Sequence, residues 1–540
     1  MWSKEASGPS KPKDEPKYMT LLLAISRWMD GSLFFRGFTA MLNFFKRLCG
    51  SSFIARAFVG DSATLDNSVK RSYFGAFVNA VLNRLPKPVT TPTHWNSTLS
   101  RLCSGSWIIN SVCDNFGTPI PPPGDQKQVG FGIKALFQWG LFAFPVVGIG
   151  AVLFATPFLP TMILGVMLLP ILFLLLISRP FVIDSTTVFL LIFIIISMIV
   201  AVMSFAPRSS IQIALLTAIF MMSALAVSAA ATSRKSVDFF ILIFIASAGF
   251  TGLVGLYQRL AGYTSELWLD LELHADIRNR ITSTFGNPNV FATYLLLLIP
   301  IVAAGVIYFK NPLLKLCAAG ATLLLLGNLL LTYTRGAYIA LPLAVIVFIL
   351  LMEKRLLILL VAFIPALPLV LPQTIMNRLL SIVNFADTST IFRMSIWQGS
   401  IRMAGDFWPT GVGQGLEAYH TVYPYYALAA AGTLHSHNLF LQILVGSGIT
   451  GFTIFIVIVA CFFRAQANFF RSTKEFRLKV MSAAMMSAMV AFLVQSIFDY
   501  SFFNYSIILT FYLFIGLSMA FTRVYKAEPA FTKTDNIFVK

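Results

Sequence analysis

From residue 134 onward the chain is a succession of apolar runs, most of them about 18 residues or longer, with short polar interruptions between them. Wound as a helix at about 1.5 Å per residue, a run of that length crosses the ~30 Å hydrocarbon core of a bilayer. The pattern predicts about twelve membrane-spanning helices, near 134–156, 159–178, 183–204, 210–231, 237–257, 289–308, 312–332, 336–352, 355–372, 438–463, 479–498 and 503–522. The expected fold class is all-α: a polytopic integral membrane protein with two long outer loops, at about 258–288 and 373–437. Before the first run the pattern changes. Ser32–Arg47 and Ser72–Arg84 set aromatic residues at helical spacing beside basic ones, which predicts amphipathic helices on an anionic membrane surface or a small packed cap. Pro86, Pro88, Pro92, Pro119 and Pro121 to Pro123 break this part into short pieces. The expected organisation is a cytoplasmic amphipathic region over 1–130, a membrane domain over 131–525 and a cytoplasmic tail over 526–540.

Composition agrees with the pattern. The chain is 57% hydrophobic and 11% charged, where a soluble domain carries roughly a quarter charged residues. The first 20 residues are polar and rich in Pro and Lys, so insertion is expected to use the internal helices. The net charge of +18 would suggest nucleic acid in a soluble protein. Here the bias of cytoplasmic loops toward Lys and Arg, with anionic lipid, accounts for it, and no nucleic-acid partner is expected. Arg179, Arg234-Lys235, Lys310 and Lys315, Lys354-Arg355, the cluster from Arg464 to Lys479, and Arg523 with Lys526 all fall on one side of the membrane. Placing that side in the cytoplasm puts both termini inside.

The opposite face carries arginine without lysine: Arg208, Arg259, Arg278, Arg280, Arg335, Arg378, Arg393 and Arg402. A guanidinium offers a planar fork of donors that matches phosphate oxygens, so an anionic ligand such as a lipid-linked phosphate is expected there. The alternative is that several of these side chains reach toward lipid headgroups. Two of the five histidines stand in Thr433-Leu-His435-Ser-His437-Asn438, at the mouth of an apolar run. Histidine suits a general base near neutral pH. His437 leads, with His435 and Glu417 as alternatives and His420 close in sequence, while Asn438 orients His437 or caps the helix. The alternating glycines of Pro409-Thr-Gly411-Val-Gly413-Gln-Gly415 suggest a tight turn where backbone approaches a ligand. The aromatic residues from Tyr419 to Tyr426 suit either sugar stacking or an interfacial belt. Asp270, Glu272, His274 and Asp276 alternate along the first outer loop and would share one face of an extended segment. They could hold a divalent cation, or pair with Arg278 and Arg280. The five scattered cysteines form neither a disulfide framework nor a zinc site, and there is no phosphate-binding glycine loop.

Four stretches taken together resemble the O-antigen ligase/polymerase family. They are Arg280-Ile-Thr-Ser-Thr-Phe-Gly286-Asn287-Pro-Asn289, Tyr333-Thr-Arg335-Gly336, the run from Arg393 and Trp397 to Gly411-Val-Gly413, and His437-Asn438 followed by Gly448-x-x-Gly451. They lie in order over about 280–451, and the first 130 residues fall outside the resemblance. The resemblance implies a metal-independent, inverting glycosyltransferase of the bacterial cytoplasmic membrane, with no cofactor. It would move a glycan of lipopolysaccharide or capsule from undecaprenyl pyrophosphate to a glycan or lipid-linked acceptor. Arg335 and Arg393 would hold the pyrophosphate and His437 would act as base, with Arg280, Asn287, Asn289, Glu417, His435 and Asn438 supporting or alternative. Ligase and polymerase remain open, since the acceptor is either another molecule or another copy of the donor glycan. Two further readings stand beside this one: a metal-dependent oligosaccharyltransferase built on the acidic loop, and a flippase or exporter of lipid-linked sugars. The flippase would require a central cationic cavity and an internal repeat.

Overall fold

A computed structural model of the chain describes residues 184–527 apart from 232, 263–279, 358–364, 366–370, 384–387 and 429. The expected amphipathic region over 1–130, the first two expected spans, most of the span at 355–372, and Asp270, Glu272, His274, Asp276 and Arg278 lie outside the described residues.

All regular structure among the described residues is helical. Nine helices there are long and apolar enough to cross a membrane. In chain order they are α1 (Ser185–Val202), α2 (Pro207–Ala230), α3 (Arg234–Leu260), α4 (Pro288–Tyr308), α5 (Pro312–Leu331), α6 (Arg335–Met352), α10 (Leu439–Ser472), α11 (Phe476–Phe498) and α12 (Tyr505–Ala527). Three shorter or more polar helices precede α10: α7 (Gln373–Leu380), α8 (Thr388–Asp406) and α9 (Leu416–Val422). Each of the nine long helices meets one of the expected spans. The chain is an all-α, polytopic membrane protein.

Helix starts follow local chemistry. Asn287 accepts hydrogen bonds from the backbone N–H of Asn289 and Val290 and is followed by Pro288, so one side chain satisfies two orphan donors of α4. Asn311 and Pro312 repeat the device at α5, and Asp184 caps α1 through the N–H of Thr187.

Packing sorts the helices into centre and rim. In α12, 89% of the apolar window is buried, against 22% in α5. A helix that is apolar all round can only be buried in the core or face lipid. α4, α11 and α12 take the first role, while Leu313, Leu316 and Leu323 of α5 face outward. α11 lies between α4, α6 and α10. Its contact with α6 is close at Gly336, where a Cβ would stand 2.4 Å from the Gln495 Oε1 and 3.2 Å from the Phe498 Cβ. The bundle has two distinguishable ends. At one, Asp238 of α3 accepts hydrogen bonds from Tyr308 of α4 and Tyr525 of α12, and Arg234 lies 5.0 Å over the Tyr525 ring. Every described lysine is on helix ends and connections of this kind: Lys235, Lys310, Lys315, Lys354, Lys474, Lys479 and Lys526. The other end carries the site.

α10 is interrupted near that other end. Gly448 takes φ 63° and ψ −172° inside the helix. The loop from Pro409 to Gly415 fills the break: Ile449 N–H donates to Trp408 O at 2.7 Å, Val412 N–H to Val445 O at 2.9 Å and Gly413 N–H to Gly446 O at 3.1 Å. Gly411 thus approaches helix backbone, where a Cβ would stand 2.6 Å from Gly446 C, whereas a Cβ at Gly413 or Gly415 would meet the side chain of Ser204 or Ile213. Gly448→Ala should destabilise the protein by about 1–3 kcal/mol, because alanine is strained at that φ and its methyl would sit 2.5 Å from Pro409 O. Thermal unfolding of purified protein followed by tryptophan fluorescence checks this.

Candidate active site

The site grows from three connections at the end of the bundle opposite the lysines. The first leads from α3 into α4. Gln258, near the end of α3, accepts from the backbone N–H of Thr282 and Ser283 at 3.0 and 2.7 Å and donates to Ser283 O at 2.8 Å. Ile281 N–H donates to Leu331 O at 3.3 Å. This clamp fixes Arg280, whose Nε donates to Thr332 O at 2.8 Å and whose Nη2 donates to Asn289 Oδ1 at 3.0 Å. Asn289 Oδ1 also accepts from Thr334 Oγ1 at 3.2 Å. Asn287 and Asn289 thus do structural work: one caps α4 and the other holds a guanidinium.

The second connection runs from α5 into α6. Arg335 opens α6 two residues after Tyr333, which takes φ 52°. Its Nη1 donates to Ser381 O at 3.4 Å, in the turn that follows α7. From α7 itself, Arg378 Nε donates to Tyr333 O at 3.2 Å. Burial first, then the positive charges of Arg378 and Arg393, lower the Arg280 guanidinium to about 9. Four arginines from separate elements are therefore gathered half-buried at one end: Arg280, Arg335, Arg378 and Arg393. Arg208, Arg259 and Arg402 are instead exposed, as side chains that reach headgroups would be.

The third connection enters α10. Asn438 caps it, accepting from Leu441 N–H at 3.0 Å. His437, just before the cap, takes φ 50°, a conformation uncommon outside glycine and asparagine. That backbone sets its Nδ1 3.5 Å from Oδ1 of Asp499, the residue that ends α11. The separation is that of an ion pair, longer than a good hydrogen bond. A quarter of the His437 side chain is exposed, against 4% of Asp499. Burial alone would raise the Asp499 carboxyl. The His437 side chain and its charge, followed by Arg393, outweigh burial and hold the group below the usual carboxylate range.

His435 lies behind His437, with ring centroids 4.2 Å apart, and stacks on Phe503 at 5.3 Å. Its Nδ1 accepts from the His437 backbone N–H at 3.2 Å. Burial first, then the neighbouring His437, pushes it down to about 3, so the ring is neutral at ordinary pH. With the lone pair on Nδ1, the proton resides on Nε2. On the other side, the Phe392 ring of α8 meets His437 edge-on at 6.3 Å, and Arg393 is the next residue.

The sequence-derived candidates therefore divide. Arg280, Arg335, Arg393, His435, His437, Asn287, Asn289 and Asn438 come to one end of the bundle. Glu417 and His420 sit exposed on α9, and the contacts around His437, His435 and Asp499 do not involve them. Sequence reasoning missed Asp499 and gave Arg378 no role in the site. A carboxylate at the boundary of a span on the arginine-rich face was the available signal, because ionisable groups at that depth are costly unless used.

The arrangement defines a class: a helical membrane protein with a cationic cluster and a histidine–aspartate pair at the end of its bundle opposite the lysines. Residues 320–456, from within α5 to the kinked half of α10, match the family model described as O-antigen ligase. The matched segment contains Arg335, Arg393, His435 and His437, whereas Arg280 and Asp499 lie on either side of it. No curated protein matches the chain.

The buried neutral His435 makes stability pH-dependent. Its pKa is depressed on folding, so its contribution is complete above about 6.5, the unfolded value, and is lost as pH falls toward 3. The free energy of unfolding should fall between about pH 6.5 and 4 by up to about 1.4 kcal/mol per pH unit, and the melting temperature with it. A His435→Gln variant should show a flatter profile over that interval.

Proposed function

We propose that the protein transfers a glycan from a polyprenyl pyrophosphate, undecaprenyl in bacteria, to an acceptor hydroxyl at the outer face of the cytoplasmic membrane. The O-antigen ligase match over 320–456 supports a role in polysaccharide assembly. The observation that carries the finer reading is the placement of His437 between Asp499 and the arginine cluster.

In the proposed reaction the acceptor O–H gives its proton to Nε2 of His437 as its oxygen bonds to the anomeric carbon. The bond from that carbon to the pyrophosphate oxygen breaks, and the electron pair leaves with the lipid pyrophosphate. Attack from the face opposite the leaving group inverts the anomeric centre. Asp499 beside Nδ1 favours the tautomer with Nε2 free to accept, and stabilises the imidazolium that forms. Arg335 and Arg393 neutralise the charge growing on the leaving group, a term that is commonly the largest in such catalysis. Arg280 and Arg378 raise the local positive potential, and the anion relieves their mutual repulsion. In this scheme guanidinium groups do the work a divalent cation would do, and no cofactor takes part.

Arg335→Ala and Arg393→Ala should each abolish transfer to added acceptor from a lipid-linked oligosaccharide while leaving membrane insertion intact. Lysine should rescue poorly, since it lacks the fork of donors. His437→Ala should lose about 10²–10⁴-fold, the usual contribution of a general base, and His435→Ala should keep a measurable fraction. EDTA should have little effect. Strong inhibition by EDTA, reversed by a divalent cation, would shift the chemistry to Asp270, Glu272, His274 and Asp276.

Orientation has its own test. In a cysteine-free background, cysteines at Ser265 and Thr421 should react with an impermeant thiol reagent in intact cells, and one at Ser472 should not. The reverse pattern would put the site on the cytoplasmic face and refute the proposed orientation.

A further inference from the structure

A second feature lies beside the histidine pair and is not used in the reaction above. α1, α2, α12 and α10 pack in a closed ring, each against the next. They enclose a cleft of about 580 Å³ including its open mouth, lined also by Gln414, Gly415 and Tyr500. The cleft adjoins the loop that carries the two histidines. Tyr500 lines it and its ring packs on His435 at 5.6 Å, while Gln442, another lining residue, accepts from Ser436 N–H at 2.8 Å.

The chemistry of the lining is unlike that of the arginine cluster. No charged residue contributes to it. Its polar groups are amides and hydroxyls: Thr217, Gln414, Gln442, Ser447, Tyr500 and Tyr512. Gln414 is spent on Ser447 at 3.3 Å. The bond from Ser436 occupies Oε1 of Gln442 and turns its NH₂ donors away, and Gln442 is only 5% exposed. Those donors, and the hydroxyls of Tyr500 and Tyr512, have no protein hydrogen-bond partner among the described residues. Tyr512 is 2% exposed. These groups line the cleft and are left to donate to whatever occupies it. Burial holds the Tyr500 hydroxyl protonated and able to donate. Phe193, Phe455 and Phe502 supply apolar and aromatic wall.

We propose that this cleft binds a neutral sugar unit of the acceptor glycan and presents one of its hydroxyls to His437. A neutral, polyhydroxylated ring meets amide and hydroxyl donors with its oxygens and aromatic walls with its C–H faces. An anion would be drawn to the arginines instead, and a hydrocarbon tail would leave the NH₂ of Gln442 and both hydroxyls unsatisfied. The inference rests on the transfer reaction proposed above and names the class of its acceptor.

The test uses the whole protein in lipid nanodiscs and needs no turnover. Saturation-transfer NMR is recorded with three neutral probes, lactose, cellobiose and N,N′-diacetylchitobiose, and with geranylgeraniol. Transfer to ring protons of at least one disaccharide is expected. Gln442→Leu and Tyr512→Phe should each weaken it by roughly 2–12-fold, the worth of one neutral hydrogen bond. Tyr512→Phe removes only an unpartnered hydroxyl, so an unchanged melting temperature certifies its fold. The inference is overturned if no disaccharide shows transfer, if transfer is insensitive to both substitutions, or if geranylgeraniol is the probe lost in the variants. Active Arg335→Ala and Arg393→Ala proteins would refute the transfer reaction while leaving the sugar-binding result to stand by itself.

Discussion

Four half-buried guanidinium groups and one buried carboxylate share the end of the bundle opposite the lysines, and the geometry around them follows from holding that imbalance. Like charges in a poorly solvated site repel strongly unless fixed by other bonds. Arg280 is tied to Thr332 O and Asn289, Arg378 to Tyr333 O and Arg335 to Ser381 O. Backbone carbonyls at helix ends are well suited to this, since the last turn of a helix leaves them without intrahelical partners. The site thus spends helix C-terminal carbonyls on its arginines and keeps its buried carboxylate for the histidine. In the proposed reaction the cost of gathering cations in advance would be recovered when the anionic leaving group forms, as in preorganised electrostatic sites generally.

The kink in α10 serves the same end. A straight helix would need no glycine at 448 and would offer no unsatisfied backbone to the loop ahead of it. With Gly448 at positive φ, the carbonyls of Val445 and Gly446 accept from Val412 and Gly413. The loop between α8 and α10 is thereby anchored at its middle. α8, which carries Arg393, packs against α10 itself. His437 at the mouth of α10 and Arg393 on α8 are then positioned by the same helix, and an error in one displaces both.

How much was legible beforehand depends on the range of the interaction. The nine long helices were visible because span length and apolarity are local, and Asn287-Pro288 and Asn311-Pro312 marked starts to within a residue or two. The arginines were visible as exceptions to a charge rule, but which of them converge was not. Arg208 and Arg259 look no different from Arg378 in sequence, and only the fold of α7 against the α5–α6 turn separates them. Asp499 was hidden for a related reason. It is far along the chain from His437 and meets it because α11 is central, a property of packing rather than of any motif. The glycines of the 409–415 loop were read for close approach, and Gly411 approaches the backbone of α10 while Gly415 lines the cleft. Sequence shows that a backbone must come close to something and does not show to what.

The division between a cationic side and a neutral side also bears on how one base can serve a reaction with two large substrates. The arginine cluster lies toward α6, α7 and α8, whereas the uncharged cleft lies within the ring of α1, α2, α12 and α10. The histidine pair stands between them, touching α8 through Phe392 and the cleft through Tyr500. In the proposed reaction a charged pyrophosphate and a neutral glycan would be sorted by electrostatics before either is oriented by shape. The exposed part of His437 is the one place where both could be within reach of a single imidazole. Asp499 fixes which nitrogen faces that place. Moving the carboxylate to another helix end would keep the charge and lose the tautomer, so the position of Asp499 at the end of α11 matters as much as its chemistry.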